Sequence, residues 1–448
     1  MKAFAALLAL LLALAWLPAS AQQREPQPGK DGTPATGGDS GKPRLRPGIG
    51  ISISISPALL FPRRAAAEDD SAFEAGQLLV LWPEPALAEA GPARLAALGL
   101  QPVQTVELSA LGSALVLLQF PDMAQARAWR ERLRREQPDW VTDLNAQATP
   151  MQAAAEPAPA PRLYAQRMLG IAGRAAAGGA RLGVIDGPID PALLTPDQAT
   201  RWLAGGPQVH TLPGMADAGA PTAHGSAVAL LIGAAPLSNG FAGSGPAQAL
   251  LWVVALRQQG EQLSTNTFLL AQAFDWLLKQ QVQLVNVSLG GAGDDVLRRL
   301  VERLLARGVA LLAAAGNKPD SSAVFPAAYP GVWAVTAVDA QGRPWARASR
   351  GKHVVVAAPG VDLWVPDAST LGSAAPSGRY VSGSSFATAL ASAVVARAPA
   401  PFWQAPPAER QQRLCSSAGP AGSATTVPTG CGLLRLDDAV AAAWAGQR

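Results

Sequence analysis

The sequence predicts an α/β protein built on a mostly parallel sheet covered by helices, preceded by a small α+β domain. After residue 163, short apolar runs alternate with helical segments, which is typical of parallel strands buried on both faces. Over residues 73–145, strand-like and helical segments follow one another as β-α-β-β-α-β, the order of a ferredoxin-like unit. An Ala/Pro-rich stretch over residues 151–162 separates the two parts and marks a domain boundary.

Composition limits the function classes. Of the 448 residues, 49% are hydrophobic and 15% are charged, which excludes a globally disordered chain and allows a large core. The net charge is only +4 and the basic residues form no block, so we expect no nucleic-acid partner. The three histidines are far apart in sequence and there are only two cysteines. We therefore expect no structural or catalytic zinc site.

The first 21 residues have the pattern of a signal peptide. Lys2 precedes an apolar run over Ala3–Leu17, and Ala19-Ser20-Ala21 has the form of a cleavage site. An uncleaved membrane anchor is the alternative. We therefore expect a secreted or periplasmic protein with no membrane span in its mature form, in which residues 22–72 form a flexible Pro/Gly-rich linker.

Residues 73–150 are predicted to form the α+β domain, and residues 151–162 a linker in which the chain is processed. Asp122 is placed to cap the second helix of this domain. The predicted elements, in order, are a strand over 77–82, a helix over Pro85–Leu98, strands over Val103–Leu108 and Ala114–Phe120, a helix over Met123–Glu136 and a strand over 141–144.

The remaining residues, 163–448, form the predicted parallel-sheet domain. Its helix over Asp294–Arg307 has an acidic residue near its start and Gly308 just after its end. The other predicted helices are His224–Ile232, Phe268–Gln280 and Phe386–Arg397, and the predicted strands are 181–185, Ala249–Leu256, Val282–Ser288, Val309–Ala315, Val332–Ala337 and Val354–Ala358.

Four polar residues lie at the ends of these elements. Asp186 ends a strand, His224 opens a helix beside Gly225, Asn317 follows a strand, and Ser385 lies where a glycine turn enters a helix. Functional groups of parallel sheets gather at such positions. Each residue alone also has a common structural explanation, as a turn-capping Asp, a His with a backbone partner, a turn Asn and a helix-capping Ser.

Taken together, the order Asp186, His224, Asn317, Ser385 resembles the subtilisin-like serine peptidases, or subtilases. The resemblance extends over about residues 163–444 and is carried by several ordered segments. They are Val184-Ile185-Asp186, His224-Gly225-Ser226, Asn286-Val287-Ser288-Leu289-Gly290-Gly291, Phe325-Pro326-Ala327-Ala328-Tyr329-Pro330-Gly331-Val332, Ala357-Ala358-Pro359-Gly360 and Gly383-Ser384-Ser385-Phe386-Ala387.

The resemblance implies a three-layer subtilisin-like fold and a role for each polar residue. Ser385 is the implied nucleophile, His224 the general base and acid, and Asp186 the residue that orients the imidazole, while Asn317 and the Ser385 N–H form an oxyanion hole. The family also implies polypeptide substrates and, for residues 73–150, a propeptide that assists folding and blocks the site. The implied pocket walls for the first substrate side chain are Ser288, Leu289, Gly290, Gly291, Ala315 and Gly316.

The sequence departs from the family pattern at a few places. Pro188 follows the aspartate segment where a glycine is usual, and Ala227 and Ala389 replace a histidine and a proline. No loop of clustered carboxylates points to calcium, so we expect no cofactor, and a dependence on calcium is the alternative that the sequence leaves open. In an oxidising compartment, Cys415 and Cys431 are expected to form a small-loop disulfide, and two free thiols are the alternative.

Two other functions compete with a self-processing secreted peptidase. An esterase or lipase of the α/β-hydrolase class would need the order Ser, acid, His, and no histidine follows Ser385. A catalytically impaired subtilase-like binding or regulatory protein is the second alternative, which Pro188 and Ala389 keep open.

Overall fold

The computed structural model describes residues 69–152, 164–171, 179–194, 206–215, 222–234, 243, 249–259, 262–319, 323–371, 373, 376–419 and 429–446. The predicted signal peptide, residues 22–68 of the predicted linker and residues 153–162 of the predicted processing zone lie outside these ranges. No helix in the described ranges is both long enough and apolar enough to cross a bilayer.

The α+β module, residues 69–151, has the predicted β-α-β-β-α-β order. Its strands form an antiparallel sheet in the order β2-β3-β1-β4. Asp122 caps α2 as expected, because its side chain accepts a hydrogen bond from the Gln125 N–H at 2.8 Å. The elements are β1 Phe73–Trp82, α1 Pro85–Ala97, β2 Gln104–Leu108, β3 Ser113–Gln119, α2 Met123–Glu136 and β4 Val141–Pro150.

Both faces of this antiparallel sheet are buried. Leu78, Val80 and Trp82 of β1 pack with the module's own helices, whereas Leu79 and Leu81 point the other way and join the core of the remaining chain. Strand residues alternate between faces, so a continuous apolar run such as 78–82 requires cover on both sides. The α+β module is therefore packed against the rest of the molecule through an apolar face.

The parallel-sheet module, residues 164–446, contains a seven-stranded parallel sheet in the order β14-β13-β12-β10-β5-β7-β6. Its strands, together with a few short pairs outside this sheet, are β5 Arg181–Asp186, β6 Pro207–Thr211, β7 Ala249–Val254, β8 Arg257–Gln259, β9 Gln262–Asn266, β10 Leu284–Val287, β11 Leu289–Gly291, β12 Ala310–Ala314, β13 Trp333–Val338, β14 Val354–Pro359, β15 Leu363–Pro366 and β16 Gly378–Val381.

Helices cover this sheet and give the layered architecture that the sequence predicts. α7 packs on the central strands and against α4, and α5 and α6 pack on the sheet and on each other. Every residue of α7 is buried, which explains why it consists of small and apolar residues. The helices of this module are α3 Tyr164–Met168, α4 Ala223–Gly233, α5 Thr267–Lys279, α6 Asp295–Ala306, α7 Ser384–Ala396, α8 Ala400–Gln404, α9 Pro407–Ser416 and α10 Asp438–Trp444.

Strand β4 is longer than the sequence predicts and joins the two modules. It was expected to end at residue 144 but continues to Pro150. Its last residues pair antiparallel with β11 on one side and with β9 on the other. Since both partners belong to the parallel-sheet module, the local pattern of β4 gives no sign of this pairing.

The predicted disulfide is confirmed. Cys415 in α9 and Cys431 are bonded, with their Cα atoms 5.1 Å apart. The Cys431 N–H donates to the carbonyl of Val355 in β14 at 2.8 Å. The bond therefore links a C-terminal helix to the edge of the parallel sheet.

Candidate active site

Asp186 and His224 are bonded to each other at the carboxyl end of the parallel sheet. Asp186 Oδ1 lies 3.0 Å from His224 Nδ1, and it also accepts the Gly187 N–H at 2.7 Å. Both side chains are buried. Because the carboxylate acts as acceptor, the proton of a neutral imidazole belongs on Nδ1. Nε2 has no hydrogen-bond partner among the described residues and is free to accept a proton.

The start of α4 holds His224 in place. Thr222 caps this helix, since its Oγ1 accepts the Gly225 N–H at 2.9 Å, and its own N–H donates to the Pro188 carbonyl at 2.9 Å. A Cβ on Gly225 would lie 2.9 Å from the Gly187 carbonyl oxygen, so a glycine is needed for this close approach. The unusual Pro188 thus anchors the helix that carries the imidazole, and the Asp186–His224 contact is intact.

Ser385 is the second residue of α7, because this helix begins at Ser384 rather than at the predicted Phe386. Its hydroxyl donates to the carbonyl oxygen of Ser288 at 2.6 Å. The ring of the following residue, Phe386, packs against the His224 ring with 5.3 Å between centroids. The structure therefore brings the imidazole next to this turn of α7, and a His224–Ser385 hydrogen bond requires the hydroxyl to leave the Ser288 carbonyl.

Asn317 follows β12 and is fixed by Ser384. Its Oδ1 accepts two hydrogen bonds from Ser384, from the N–H at 2.9 Å and from the hydroxyl at 2.8 Å. Its Nδ2 is buried without a partner among the described residues. The two bonds fix the orientation of the amide, so that its Nδ2 group is directed away from Ser384.

Ser384 is a functional residue that sequence reasoning missed. In the sequence, Ser384 is only one of several small residues next to Ser385. In the structure its hydroxyl also accepts the Gly316 N–H at 3.2 Å, so it links the loop after β12 to the first turn of α7.

The end of β4 lies along the predicted pocket residues. Residues 148, 149 and 150 pair with Gly291, Gly290 and Leu289, in that order. Just beyond them, the Ser385 N–H donates to the Met151 carbonyl oxygen at 3.1 Å, and the Met151 N–H donates to the Ser288 carbonyl at 3.4 Å. An extended peptide is thus held with one carbonyl directly at Ser385.

The side chain of Met151 lies over a glycine-lined surface. A Cβ on Gly290 would be 3.6 Å from Met151 Cγ and Cε. Val324 closes the space behind it, because a Cβ on Gly290 or on Gly316 would lie 3.2 Å or 2.9 Å from Val324 atoms. Of the predicted wall residues, Ala315 is fully buried and its N–H bonds to β13, so it supports the wall from behind.

A second set of contacts connects β4 to the N-termini of two helices. Asp143 accepts the Asp295 N–H of α6 at 2.9 Å, and Asn145 accepts the Phe268 N–H of α5 at 3.2 Å. Arg130 and Arg134 pair with the Asp143 carboxylate at 3.1 Å and 3.0 Å. Helix N-termini favour such acceptors and negative charge.

Asp294, the residue that caps α6, is fully buried beside this contact. It accepts the Leu297 N–H at 2.7 Å and the Thr267 hydroxyl at 2.6 Å. Burial raises the pKa of Asp294 to about 7, and the two hydrogen bonds oppose that rise. In the described part of the chain, no three His, Cys, Asp or Glu side chains come together as a metal-binding group.

Comparison with known proteins gives one family match. Residues 210–433, half of the chain, match the subtilase family. The matched range contains His224, Asn317 and Ser385, and Asp186 lies before it.

Individual proteins agree with this match. The chain is 34% identical over 176 residues to a thermostable alkaline protease of Halalkalibacterium halodurans, an alignment that covers 39% of this chain and 46% of that protein. It is 33% identical over 174 residues to subtilisin of Bacillus pumilus, covering 37% of this chain and 59% of that protein. The chain therefore spans about half the length of these relatives.

Among solved structures, the fold is similar to that of fervidolysin from Fervidobacterium pennivorans, described as a keratinolytic enzyme related to subtilisin. The TM-score is 0.64 at 20% identity, and the alignment covers 83% of this chain and 62% of that one. At this identity the likeness concerns the fold alone. It confirms the predicted fold class.

Proposed function

Because this chain belongs to the subtilase family, we propose that it is a serine endopeptidase made as a precursor that cuts itself. Ser385 is the nucleophile, His224 the general base and acid, Asp186 the partner of the imidazole, and Asn317 the side-chain donor of the oxyanion hole. The substrates are polypeptides, and the first of them is the chain itself.

The observation that carries this proposal is the position of Met151. Its carbonyl oxygen lies 3.1 Å from the Ser385 N–H, at the end of a strand paired with residues 289–291. A peptidase binds the chain on the amino side of the bond to be cut in this extended manner, with the reacting carbonyl at the nucleophile and at an N–H donor. The bond so presented is Met151–Gln152.

The geometry supports the following course of reaction. The Ser385 hydroxyl leaves the Ser288 carbonyl, transfers its proton to His224 Nε2 and attacks the carbonyl carbon. The oxyanion that forms accepts hydrogen bonds from the Ser385 N–H and from Asn317 Nδ2, while Asp186 stabilises the imidazolium. His224 then gives the proton to the leaving amine, and a water molecule, deprotonated by the same imidazole, hydrolyses the acyl-enzyme.

Self-cleavage at Met151–Gln152 makes residues before it a propeptide in function. The α+β module fills the cleft through β4, and its apolar face remains packed against the parallel-sheet module through residues such as Leu79 and Leu81. After the cut, these contacts keep the cleft closed until the module departs. The apolar N-terminal segment 1–21 supports export from the cytoplasm before this step.

The pocket favours an unbranched, medium-sized apolar residue on the amino side of the cut bond. Met151 occupies it, Gly290 lines it, and Val324 limits its depth. A flexible thioether adapts well to such a space. We therefore expect cleavage after Met and Leu rather than after bulky aromatic or charged residues.

One observation favours a second candidate, a catalytically silent subtilase-like binding protein. The Ser385 hydroxyl bonds to the Ser288 carbonyl and not to His224. A silent protein would retain this arrangement permanently, whereas an enzyme leaves it in the course of reaction.

The test uses the full-length chain and its Ser385→Ala variant. We expect the unmodified precursor to convert itself, giving a new N-terminus at Gln152 by mass spectrometry, and the converted protein to react with a fluorophosphonate probe. Ser385→Ala should remain full length and unlabelled, since no other hydroxyl takes the position of the nucleophile. Ser417→Ala, which removes a buried hydroxyl at the C-cap of α9, serves as the matched control and should convert and react with the probe like the unmodified protein. Conversion and labelling of Ser385→Ala at the normal rate would contradict the proposal, and an unmodified protein that stays intact and unlabelled would favour the silent binding protein.

A further inference from the structure

A chain of buried polar side chains runs from the middle of α7 to the nucleophile. The Ser392 hydroxyl donates to Asn286 Oδ1 at 3.0 Å, and Asn286 Nδ2 donates to Ser288 Oγ at 2.9 Å. The Ser288 hydroxyl in turn donates to the carbonyl oxygen of Ser385 at 2.9 Å. None of these four residues exposes any surface, so their hydrogen bonds are made without competition from water.

This series of hydrogen-bonded side chains lies where an apolar core is expected. Asn286 is in the middle of β10, between Val285 and Val287, in a parallel strand that is buried along its whole length. Ser392 lies two turns after Ser385 on α7, a helix with no exposed residue. A buried amide costs free energy unless its hydrogen bonds are made, and an apolar residue of similar volume at this position would serve packing equally well. Packing alone therefore gives no reason for a polar residue in this strand.

The series of hydrogen bonds ends at the two groups that the reaction must position, the nucleophile Ser385 and the peptide at Met151. The side chain of Ser288 holds the main chain of Ser385, whereas its carbonyl oxygen accepts both the Ser385 hydroxyl at 2.6 Å and the Met151 N–H at 3.4 Å. Ser288 is thus in contact with the nucleophile and with the peptide at the same time. What fixes the rotation of the Ser288 side chain is its bond to Asn286.

We propose that Asn286 is a positioning residue for the nucleophile. It acts through Ser288, whose hydroxyl it orients toward the Ser385 carbonyl, and Ser392 holds the amide from the other side. Asn286 touches neither the peptide nor the reacting atoms. The inference rests on the proposed function of Ser385 and adds to it a residue of β10 that sets the position of the first turn of α7.

The expected consequence is a loss of turnover without a loss of binding. Without Asn286 the Ser288 hydroxyl is free to turn, and the first turn of α7 loses one of its buried attachments. The peptide is still held by the backbone of residues 289–291, which this change leaves in place. Small displacements of a nucleophile reduce the rate of attack far more than the affinity for the substrate.

The experiment compares Asn286→Leu, Ser288→Ala and the double variant with the unmodified, self-converted protein. Active sites are counted with a fluorophosphonate probe, and kcat for each counted site and KM are measured with a peptide that contains Met before the cut bond. We expect Asn286→Leu to lower kcat about tenfold with KM changed less than about twofold. The double variant should be no slower than Ser288→Ala, because both changes break the same connection.

The control variant is Ser417→Ala, which also removes a buried hydroxyl bonded to a backbone carbonyl. It is expected to lower the melting temperature without changing kcat for each active site. Ser392→Ala, which removes only the outer end of the chain, is expected to lower kcat about threefold, and it replaces Asn286→Leu if that variant does not fold.

The outcomes separate the two proposals. A normal kcat per site in Asn286→Leu, or fully additive effects in the double variant, would overturn the positioning role while leaving Ser385 as the nucleophile. An unmodified protein that takes up no probe would overturn the proposed function, and with it this inference.

Discussion

Two of the contacts between the α+β module and the parallel-sheet module differ in kind. In the cleft the contacts are made by the backbone of β4, which pairs with β11 and brings the Met151 carbonyl to Ser385. At the N-termini of α5 and α6 the contacts are made by side chains, those of Asn145 and Asp143. In the proposed function, the first set positions the bond to be cut, and the second set does not involve that bond.

This difference separates cleavage of the Met151–Gln152 bond, called cutting below, from retention of the cut α+β module, called holding. Backbone pairing accepts almost any side chain, so in the proposed function the same cleft takes the chain's own strand and other polypeptides. The side-chain contacts are particular to the α+β module, and they remain after the Met151–Gln152 bond is broken. We therefore expect some variants to change the rate of cutting alone and others to change only how tightly the cut module is held.

The largest expected effect on cutting comes from Asn317. Asn317→Leu removes the Nδ2 donor, and we expect self-conversion to slow by about 10²–10³-fold. Ser384→Ala removes one of the two bonds that orient the amide and leaves the one from its own N–H, so we expect a loss of about tenfold. The measurement is the time course of precursor conversion on a gel.

Retention of the cut α+β module by the parallel-sheet module should be unchanged in both variants. The control is the co-elution of the cut module with the parallel-sheet module on a sizing column, which we expect to match that of the unmodified protein. Conversion of Asn317→Leu at the normal rate would remove Asn317 from the oxyanion hole.

Much of this arrangement follows from local sequence. The alternation of apolar runs and helices predicts the layered fold, and glycine-flanked residues at the ends of elements predict Asp186, His224 and Ser385 as site residues. The length of β4 does not follow, because residues 145–150 carry no large apolar side chain and their partners in β9 and β11 lie far away along the chain. The role of Ser384 does not follow either, since the direction of the Asn317 amide depends on how the β12 loop meets α7.

The next largest expected effect concerns the pH dependence of the free energy of unfolding, through Asp294 at the start of α6, the helix that β4 contacts. The pKa of Asp294 is raised to about 7 by burial, so between about pH 4 and pH 7 the folded protein keeps a proton that the unfolded chain has released. The stability contributed by this group is full below about pH 4 and is lost as the pH rises through 7. Asp143 and Asp295 lie close enough to disfavour its ionisation further.

Asp294→Asn keeps the cap of α6 and removes this titration. We expect the loss of unfolding free energy between pH 4 and pH 8 to be smaller in this variant by about 3–4 kcal/mol, because a pKa raised to about 7 separates proton binding in the folded and the unfolded chain by about three pH units. Urea unfolding of Ser385→Ala precursors, with and without Asp294→Asn, measures the difference. Identical pH profiles would show that Asp294 is ionised throughout this range.

The smallest effect tests the side-chain contact directly. Asp143→Ala removes an acceptor from the N-terminus of α6, but Asp294 still caps that helix, and Arg134 keeps a second partner in Asp295 at 2.8 Å. The loss of one such cap corresponds to about 1 kcal/mol, or about a fivefold weaker hold on the cut module. The rate of conversion should not change, because β4 pairs with β11 through its backbone. The readout is the lag between the cut and the appearance of activity on an added peptide, which is set by departure of the module.

Asp139→Ala is the matched control, since it breaks an exposed pair with Arg94 inside the α+β module. A shorter lag in Asp143→Ala than in Asp139→Ala, at equal rates of conversion, is the expected result. Equal lags would mean that Asp143 does not help to hold the module in place after the cut.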